Sequence, residues 1–260
     1  MTYAAFDLTG KVALITGGNR GIGLGMADAL AQAGADVCIW GRDATRNGSA
    51  VKWLKRHGTR VAGSVCDVSD ETQVSSSFEN CLAEFGRVDG CFANAGVLGG
   101  AKSLFDISSD DWRGVLGVNL DGAFFTLKAA AEHMKSRAET GDPGGRLVVT
   151  SSLASISGAA RNEHYAATKG GVTAMMKALS VELARYGVTA NAILPGWIET
   201  DMTEKAMANE KFAANVMPRI PVRRWGQPED FGGIAVYLMS DASAYHTGDE
   251  ILIDGGYFLF

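Results

Sequence analysis

The stretch KVALITGGNRGIG, residues 11–23, decides the fold. Its first six residues form an almost continuous apolar run, which is typical of a parallel strand that is buried on both faces. Glycines at positions 17, 21 and 23 then open a helical pattern. Glycines at such a strand-to-helix turn let the backbone approach a phosphate closely, and the N-terminus of the helix adds N–H donors and partial positive charge. The spacing is GxxxGxG rather than GxGxxG, yet its position predicts a dinucleotide-binding turn. We assign that turn to Gly17, Asn19, Arg20, Gly21, Ile22 and Gly23.

The rest of the chain repeats the same alternation of strand and helix. The predicted strands are 11–16, 35–40, 61–66, 88–93, 146–151, 188–194 and 250–254. The predicted helices are 21–33, 44–57, 70–85, 110–137, 164–186 and 228–240, and we expect Gly34, Gly58, Gly86 and Gly187 to stop four of them. This order predicts an α/β fold of Rossmann type, a doubly wound seven-stranded parallel sheet with helices on both faces. A length of 260 residues suits one domain, 1–260.

Residues 196–226 break the alternation. A long excursion at the ligand edge of a sheet is usually a lid or substrate loop. Five large apolar residues suggest an apolar lid, although they could simply pack the excursion onto the body. They are Trp197, Met202, Met207, Phe212 and Met217.

Composition excludes several classes of protein. A net charge of −5 disfavours standing affinity for nucleic acid, which needs clustered Lys and Arg. No apolar run approaches the roughly 18 residues of a membrane span, and the first residues lack a signal-peptide pattern. The four cysteines form no CxxC pair and the four histidines no HxH or HxxxH pair, so we expect buried thiols, no metal site and a cytoplasmic protein. Glycine, with 33 residues, is well above its usual share of about 7%.

The end of the second predicted strand bears on the choice of dinucleotide. A carboxylate there would bond the adenine ribose and repel a 2′-phosphate. Instead the segment Ile39-Trp40-Gly41-Arg42 has no acid, and Arg20 in the glycine turn is a second cation. Two guanidiniums favour NADP(H) over the alternative, NAD(H). The competing interpretation makes Arg42 a solvated residue paired with Asp43.

Three residues around the fifth strand suggest acid–base chemistry. Tyr165 and Lys169 are four apart in a predicted helix and share one face, while Ser152 directly follows the strand at its ligand edge. Reduction of a carbonyl needs a proton donor at its oxygen. A phenol with a pKa of about 10 becomes useful near neutrality when an ammonium stabilises its phenolate form. We predict that Tyr165 is the acid–base group and that Ser152 holds the substrate oxygen.

At this point the chain resembles the classical short-chain dehydrogenase/reductases over essentially its whole length. The resemblance rests on the glycine turn, on Asn119, Ser152 and Tyr165-x-x-x-Lys169, and on the motifs Asp67-Val68, Asn94-Ala95-Gly96, Pro195-Gly196-x-x-x-Thr200 and Asp254-Gly255-Gly256. It implies that Lys169 also binds the nicotinamide ribose and that Asn119 holds a relay water. It places Asp67 and Val68 at the adenine, and Asn94, Ala95 and Gly96 beside the adenosine ribose. Pro195, Gly196, Ile198 and Thr200 fall at the nicotinamide edge. Without the family, Asn119 would be interpreted as a helix cap or kink and Asp67 as a helix cap.

Within the family, residues from 195 onwards are most similar to bacterial 3-oxoacyl-carrier-protein reductases. Those reductases grip an acidic carrier with basic residues, some just before the fifth strand. Here residues 138–145 contain two acids, which should repel an acidic carrier protein. We therefore favour a free small-molecule ketone or secondary alcohol. The alternatives are a carrier-bound 3-oxoacyl thioester and, remotely, a regulatory dinucleotide-binding module without turnover. The resemblance also implies a homotetramer that pairs through helices 110–137 and 164–186.

Overall fold

A computed structural model describes residues 3–100 and 102–260, and its centre is a sheet of seven parallel strands. The strands are β1 Val12–Thr16, β2 Asp36–Gly41, β3 Val61–Val65, β4 Gly90–Ala93, β5 Gly145–Thr150, β6 Val188–Pro195 and β7 Glu250–Ile253. Their order in the sheet is β3-β2-β1-β4-β5-β6-β7, with every pair parallel. The order reverses between β1 and β4. In such sheets, ligands bind at this switch point, beyond the carboxyl ends of the strands.

Helices cover both faces of the sheet. They are α1 Gly21–Gln32, α2 Ala44–Leu54, α3 Glu71–Phe85, α4 Ser109–Leu116, α5 Gly122–Glu139, α6 Ala154–Ser157, α7 Glu163–Glu182, α8 Glu204–Met207, α9 Glu210–Val216 and α10 Gly232–Met239. One apolar core joins the sheet to α3, α5 and α7, and the other joins it to α1, α2 and α10. All four cysteines are buried free thiols in the first core. The predicted fold class is thereby confirmed.

The predicted boundaries differ from the observed ones mainly at helix ends. Predicted helix 44–57 finishes in a 3-10 turn, Lys55–His57, and predicted helix 228–240 begins in another, Pro228–Phe231. Gly58, Gly86 and Gly187 end helical segments in the left-handed conformation, as expected of glycine. Gly34 lies one residue beyond the end cap of α1, also at positive φ.

The predicted helix 110–137 is two helices, α4 and α5, joined by a π-helical turn at Gly117–Asp121. Such turns insert an extra residue into a helix and occur often at functional sites. Residues 196–226 hold the two short helices α8 and α9, and an isolated bridge between Ile198 and Gly226 closes the base of this excursion. No helix in the described parts of the chain is long and apolar enough to cross a membrane.

Candidate active site

A cleft of about 850 Å³ opens at the carboxyl ends of the strands. It brings together all of the residues assigned to the site from the sequence except Gly23 and Asn119. Those in its lining are Gly17, Asn19, Arg20, Gly21, Ile22, Arg42, Asp67, Val68, Asn94, Ala95, Gly96, Ser152, Tyr165, Lys169, Pro195, Gly196, Ile198 and Thr200. Gly23 and Asn119 support it from behind, through contacts described below.

The glycine turn after β1 fits a dinucleotide pyrophosphate. Gly17 has a φ of +65°, which glycine adopts without strain. A Cβ on Gly23 would lie 2.3 Å from the Gly17 carbonyl oxygen, so α1 can approach the turn this closely only with glycine there. The first N–H groups of α1 have no intrahelical partner, and Gly21 and Ile22 at this end of α1 line the cleft. The turn is therefore a cradle of backbone donors with room for phosphate oxygens.

Hydrogen bonds between neighbouring strand ends hold the centre of the cleft. The Thr16 hydroxyl accepts from the backbone N–H groups of Asn94 and Ala95, both at 3.0 Å. The Asn94 side chain donates to the Thr16 carbonyl at 3.0 Å and accepts from the Thr150 hydroxyl at 3.0 Å. Asn94 thus ties the ends of β1, β4 and β5 together, which fixes the floor beside Gly96.

Ser152, Tyr165 and Lys169 converge at the end of β5. The Ser152 hydroxyl lies near enough to the Tyr165 phenol to lower its pKa, although the two residues come from different elements. The Lys169 ammonium is buried, donates to the Thr150 carbonyl at 2.7 Å and lies 5.5 Å from the centre of the Tyr165 ring. The helical spacing of Tyr165 and Lys169 explains their shared face, and the end of β5 supplies both Ser152 and the acceptor for Lys169.

Burial shifts the titration of both ionisable groups. It raises the pKa of the Tyr165 phenol above its ordinary value, while the Ser152 hydroxyl acts in the opposite direction, so the expectation of a lowered phenol pKa is wrong for this structure. Burial also lowers the pKa of Lys169 to about 8, because the charged ammonium is disfavoured away from water. Lys169 is still mostly charged at neutral pH, so a positive group stands beside the phenol.

Asn119 lies in the π-helical turn, where it is fully buried. Its side-chain oxygen accepts the Val97 N–H at 2.8 Å and its amide donates to the Val97 carbonyl at 2.9 Å. A Cβ on Gly96 would lie 3.3 Å from the Asn119 oxygen and 3.5 Å from the Lys169 nitrogen. Asn119 therefore clamps the loop after β4 from below and flanks Gly96 together with Lys169.

The tip of β2 shows why no carboxylate stands there. A Cβ on Gly41 would lie 2.3 Å from the Asn19 side-chain nitrogen and 2.7 Å from the Asn47 side-chain oxygen. Asn47 is buried and donates to the carbonyls of Gly41 and Ser64, both at 2.9 Å, and it accepts from Asn19 at 2.7 Å. This asparagine pair fills the space of any side chain at position 41. Asn47 was not predicted. Its only signal in the sequence is that it is a polar residue on the inward face of α2.

Three guanidiniums surround this end of the cleft instead of the two expected. Arg46, one turn into α2, joins Arg20 and Arg42 in the lining. Arg42 faces Asp67 at 3.9 Å, whereas Asp43 pairs with Arg46 at 3.6 Å. The pairing of Arg42 with Asp43 that the sequence left open is thus replaced by these two contacts.

A carboxylate from the excursion also reaches the arginines. Asp201 accepts from Arg20 at 3.0 Å and from Arg46 at 2.8 Å. These contacts span 181 and 155 residues of sequence, respectively. No local pattern could have indicated them, and Arg46 and Asp201 were both missed.

Asp67 and Val68 line the same end of the cleft. Asp67 accepts from the Ser69 N–H at 3.0 Å and the Ser69 hydroxyl at 2.7 Å, while Asp70 is the residue that caps α3. Val68 is buried and packs against α5, where a Cβ on Gly122 would approach it to 2.7 Å. The helix-capping alternative for Asp67 is therefore wrong, because the cap lies three residues later.

The segment after β6 forms the opposite rim of the glycine turn. A Cβ on Gly21 would lie 3.2 Å from the Thr200 methyl, and a Cβ on Gly196 would lie 2.6 Å from the Asp254 Cβ. Ile198 is buried beneath this segment. The base of the excursion therefore rests directly on the turn after β1.

Several uncharged side chains from the excursion and from the last residues of the chain also line the cleft. Trp197 and Phe212 pack edge to face at 4.9 Å between ring centroids, and Met202 and the C-terminal Tyr257 also line the wall. Met207 and Met217, which the sequence suggested for an apolar lid, lie outside the lining.

The described cations that line the cleft are Arg20, Arg42, Arg46 and Lys169. Arg42 and Arg46 follow β2, three strands from β5, and three strand spacings amount to roughly 14 Å. The cleft thus has a cationic end, which holds the three arginines, and a second end, called the neutral end below, where Lys169 is the one cation among the described lining residues.

The acidic loop at 138–145 lies elsewhere. It precedes β5, whereas the cleft is at the other end of that strand, roughly 20 Å away for a six-residue strand. Glu139 pairs with Lys135 at 2.8 Å, and Asp142 pairs with Arg137 at 2.9 Å. The expectation that this loop repels an acidic carrier at the mouth of the chain's own cleft is therefore unsupported, because the loop is remote and its charges are compensated.

Comparisons with known proteins identify relatives over nearly the whole chain. A family model described as enoyl-(acyl carrier protein) reductase matches residues 17–258. The chain is 38% identical to a 2-dehydro-3-deoxy-D-gluconate 5-dehydrogenase of Pseudoalteromonas atlantica over 97% of both chains. It is 37% identical to a sorbose reductase of Schizosaccharomyces pombe, again over 97% of both.

A solved structure is similarly close. A gluconate 5-dehydrogenase from Burkholderia cenocepacia, in complex with NADP and tartrate, superposes with a TM-score of 0.92 at 33% identity. The alignment covers 99% of this chain and all of that one, 100%.

Proposed function

The chain belongs to the classical short-chain dehydrogenase/reductase family, and from that premise we propose that it transfers a hydride between NADP(H) and a neutral ketone or secondary alcohol. As a member of that family it is an oxidoreductase of CH–OH and C=O groups. The observation that carries the proposal is the convergence of Ser152, Tyr165 and Lys169 at the neutral end of a cleft whose other end holds the phosphate-binding turn.

Tyr165 acts as the acid–base group. In reduction its phenol donates a proton to the carbonyl oxygen of the substrate, and in oxidation its phenolate takes the hydroxyl proton. The nicotinamide, when bound, supplies or accepts the hydride. Ser152 donates a hydrogen bond to the same oxygen, where negative charge develops. For both roles, the carbonyl oxygen of the substrate must lie within hydrogen-bond distance of the Ser152 and Tyr165 hydroxyls.

Lys169 and Asn119 support this chemistry. The Lys169 ammonium lies 5.5 Å from the centre of the Tyr165 ring, and we propose that its charge offsets part of the rise in the phenol pKa that burial causes. It is also the side chain that would bond the nicotinamide ribose. Asn119 holds the loop after β4 through Val97, so we propose that it is a positioning residue. The relay water that the resemblance implies at Asn119 remains a prediction.

The preference for NADP(H) rests on Arg20, Arg42 and Arg46. Three guanidiniums near the tip of β2 can donate to a 2′-phosphate, and the glycine and asparagines there leave no room for a competing carboxylate at position 41. The Burkholderia cenocepacia relative contains NADP, which agrees with this assignment. NAD(H) is the alternative that a cofactor comparison would test.

The substrate is best described as neutral. Sugar-acid relatives would need a cation for the substrate carboxylate, but among the described lining residues the neutral end offers only Lys169, which is already committed to Tyr165 and Thr150. Trp197, Met202 and Phe212 favour an apolar or partly apolar body on the substrate. The sorbose reductase relative is named for an uncharged sugar.

A substrate panel with NADPH tests this function. We expect kcat/KM for a cyclic aliphatic ketone or L-sorbose to exceed that for 5-ketogluconate by about a hundredfold, because a buried carboxylate without a partner is costly. The Tyr165→Phe variant serves as the blank that assigns the signal to this site. If 5-ketogluconate is the best substrate, the neutral-substrate proposal is wrong.

A carrier-bound 3-oxoacyl thioester is the second candidate. Two observations favour it. The matching family model is described as an enoyl-(acyl carrier protein) reductase. The acidic residues Glu139 and Asp142 are paired with cations and lie away from the cleft, so they give no reason to exclude an acidic carrier. The same panel, extended to a 3-oxoacyl chain on acyl carrier protein, separates the two. Turnover confined to the carrier-bound substrate would establish this second function.

Association of the chain is a further part of the proposal. We propose one domain over 1–260, with the excursion 196–226 as its substrate loop, in a cytoplasmic homotetramer. Phe124 on α5 and Val181 on α7 are apolar and exposed, as are Leu259 and Phe260 at the C-terminus. Exposed apolar groups on these helices favour pairing through them. Light scattering should give four times 27.3 kDa, and the mass of one chain would refute association.

A further inference from the structure

The excursion places a carboxylate among the arginines of the cationic end, where no negative group is needed for catalysis. Asp201 follows Thr200, which rests on the glycine turn, and its side chain bonds both Arg20 and Arg46. All three side chains are about half exposed and line the cleft. These two ion pairs therefore connect the excursion to α1 and α2 across the opening.

Asp201 differs from the two other acids near these arginines. Asp43 accepts the backbone N–H groups of Thr45 and Arg46 as the cap of α2, and Asp67 accepts from Ser69. Within the described residues, the hydrogen bonds of the Asp201 carboxylate go only to the two guanidiniums. Removing its charge should thus leave the helix caps intact.

We infer that Asp201 is a specificity-determining residue that occupies, as an internal anion, the guanidinium donors which a 2′-phosphate would use. The inference rests on the proposed preference for NADP(H) and concerns how strongly NADP(H) is preferred over NAD(H). Each guanidinium has five N–H donors in a fixed fork, and Asp201 takes one from Arg20 and one from Arg46. A 2′-phosphate must displace the carboxylate or share the arginines with it as a like charge.

The strength of these contacts allows such competition. Exposed ion pairs are weak, so a bound phosphate, with its larger charge and three acceptor oxygens, can open them. The hydrogen bonds from Arg46 and then Arg20 hold the pKa of Asp201 below its usual range, so the carboxylate is charged at neutral pH. Asp201 consequently weakens the discrimination between the phosphorylated and unphosphorylated dinucleotides.

Calorimetric titration with two fragments measures this effect without turnover. The probes are adenosine 2′,5′-bisphosphate and 5′-AMP, which differ only in the 2′-phosphate. Asp201→Asn should tighten binding of the bisphosphate by about three- to tenfold and leave 5′-AMP within about twofold, since one like charge is removed from a partly screened site. Glu204→Gln is the matched control, because it removes an exposed charge from the same excursion outside the cleft.

A double variant tests whether Asp201 acts through Arg46. In an Arg46→Gln background, the gain from Asp201→Asn in the affinity ratio of the two probes should shrink, because one shared partner is gone. A merely structural role for Asp201 would change both probes alike and leave their ratio unchanged. The inference would be overturned if Asp201→Asn left the ratio of the two affinities at its wild-type value. It would also be overturned if that variant bound the bisphosphate more weakly than the wild type.

The same titrations distinguish a failure of the Asp201 inference from a failure of the NADP(H) proposal. A wild-type protein that binds both probes equally would refute the NADP(H) preference, and a gain in Asp201→Asn would still establish the role of Asp201. A wild-type preference for the bisphosphate that Asp201→Asn does not alter would support NADP(H) and refute the role of Asp201.

Discussion

The two ends of the cleft are built by different kinds of contact. The catalytic end is the neutral end of the cleft, where Ser152 and Tyr165 lie. There Lys169 and Asn119 are buried and bond backbone groups of neighbouring loops and strands. At the cationic end, which is called the adenosine end below because the NADP(H) proposal places the 2′-phosphate there, Arg20, Arg42 and Arg46 are half or more exposed and bond carboxylates. Buried side chains bonded to backbone have few alternatives, whereas exposed ion pairs are weak and exchangeable. The catalytic end should therefore tolerate substitution poorly, and the adenosine end should respond in small, graded steps.

The largest expected effect belongs to the catalytic end. Tyr165→Phe removes the proton donor and should lower kcat by about 10³- to 10⁴-fold, at the upper range of general acid–base catalysis. NADPH binding, followed by fluorescence titration, should stay within a few-fold, since the ring and its packing remain. A variant that keeps wild-type turnover would show that the acid–base group is another residue.

A smaller effect is expected at the adenosine end. Arg42→Gln should reduce the ratio of kcat/KM for NADPH over NADH by about tenfold, or 1.4 kcal/mol, since one charge-assisted contact to the 2′-phosphate is lost. Because the side chain is 64% exposed, folding should be unaffected. Arg113→Gln, an exposed arginine on α4, is the control and should leave the ratio unchanged. An unchanged ratio in Arg42→Gln itself would return Arg42 to the solvated surface.

The smallest effect is a pH dependence that distinguishes the two groups of the catalytic end. Burial lowers the pKa of Lys169 to about 8, so its charge is lost as pH rises through that value rather than through the ordinary value for lysine. Ketone reduction that depends on this charge should fall to about half at pH 8 and further above it. The kcat profile at saturating NADPH and ketone measures this. A decline that begins only above pH 10 would assign the limb to the Tyr165 phenol, whose pKa burial raises.

The same contrast separates what could be read from the sequence from what could not. The fold class followed from buried runs and the glycine turn, and the pair Tyr165 and Lys169 followed from a four-residue helical spacing, since both depend on contacts within one element. The π-helical turn at Asn119 was predicted as plain helix, because the hydrogen bond that accompanies it joins Asn119 to Val97, 22 residues away in the chain. Arg46, Asn47 and Asp201 were missed because their partners are distant in the chain.

Gly41 shows the division most clearly. The amino-acid sequence shows that no carboxylate stands at the tip of β2. We expected NADP(H) for that reason. The reason for the glycine at position 41 is visible only in the folded chain, where Asn19 and Asn47 occupy the space that a side chain there would need. The backbone pattern of strands, turns and helices depends on local periodicity and burial, which one sequence displays. The charge around the 2′-phosphate site depends on which exposed side chains from four separate segments meet, and the folded chain alone determines that.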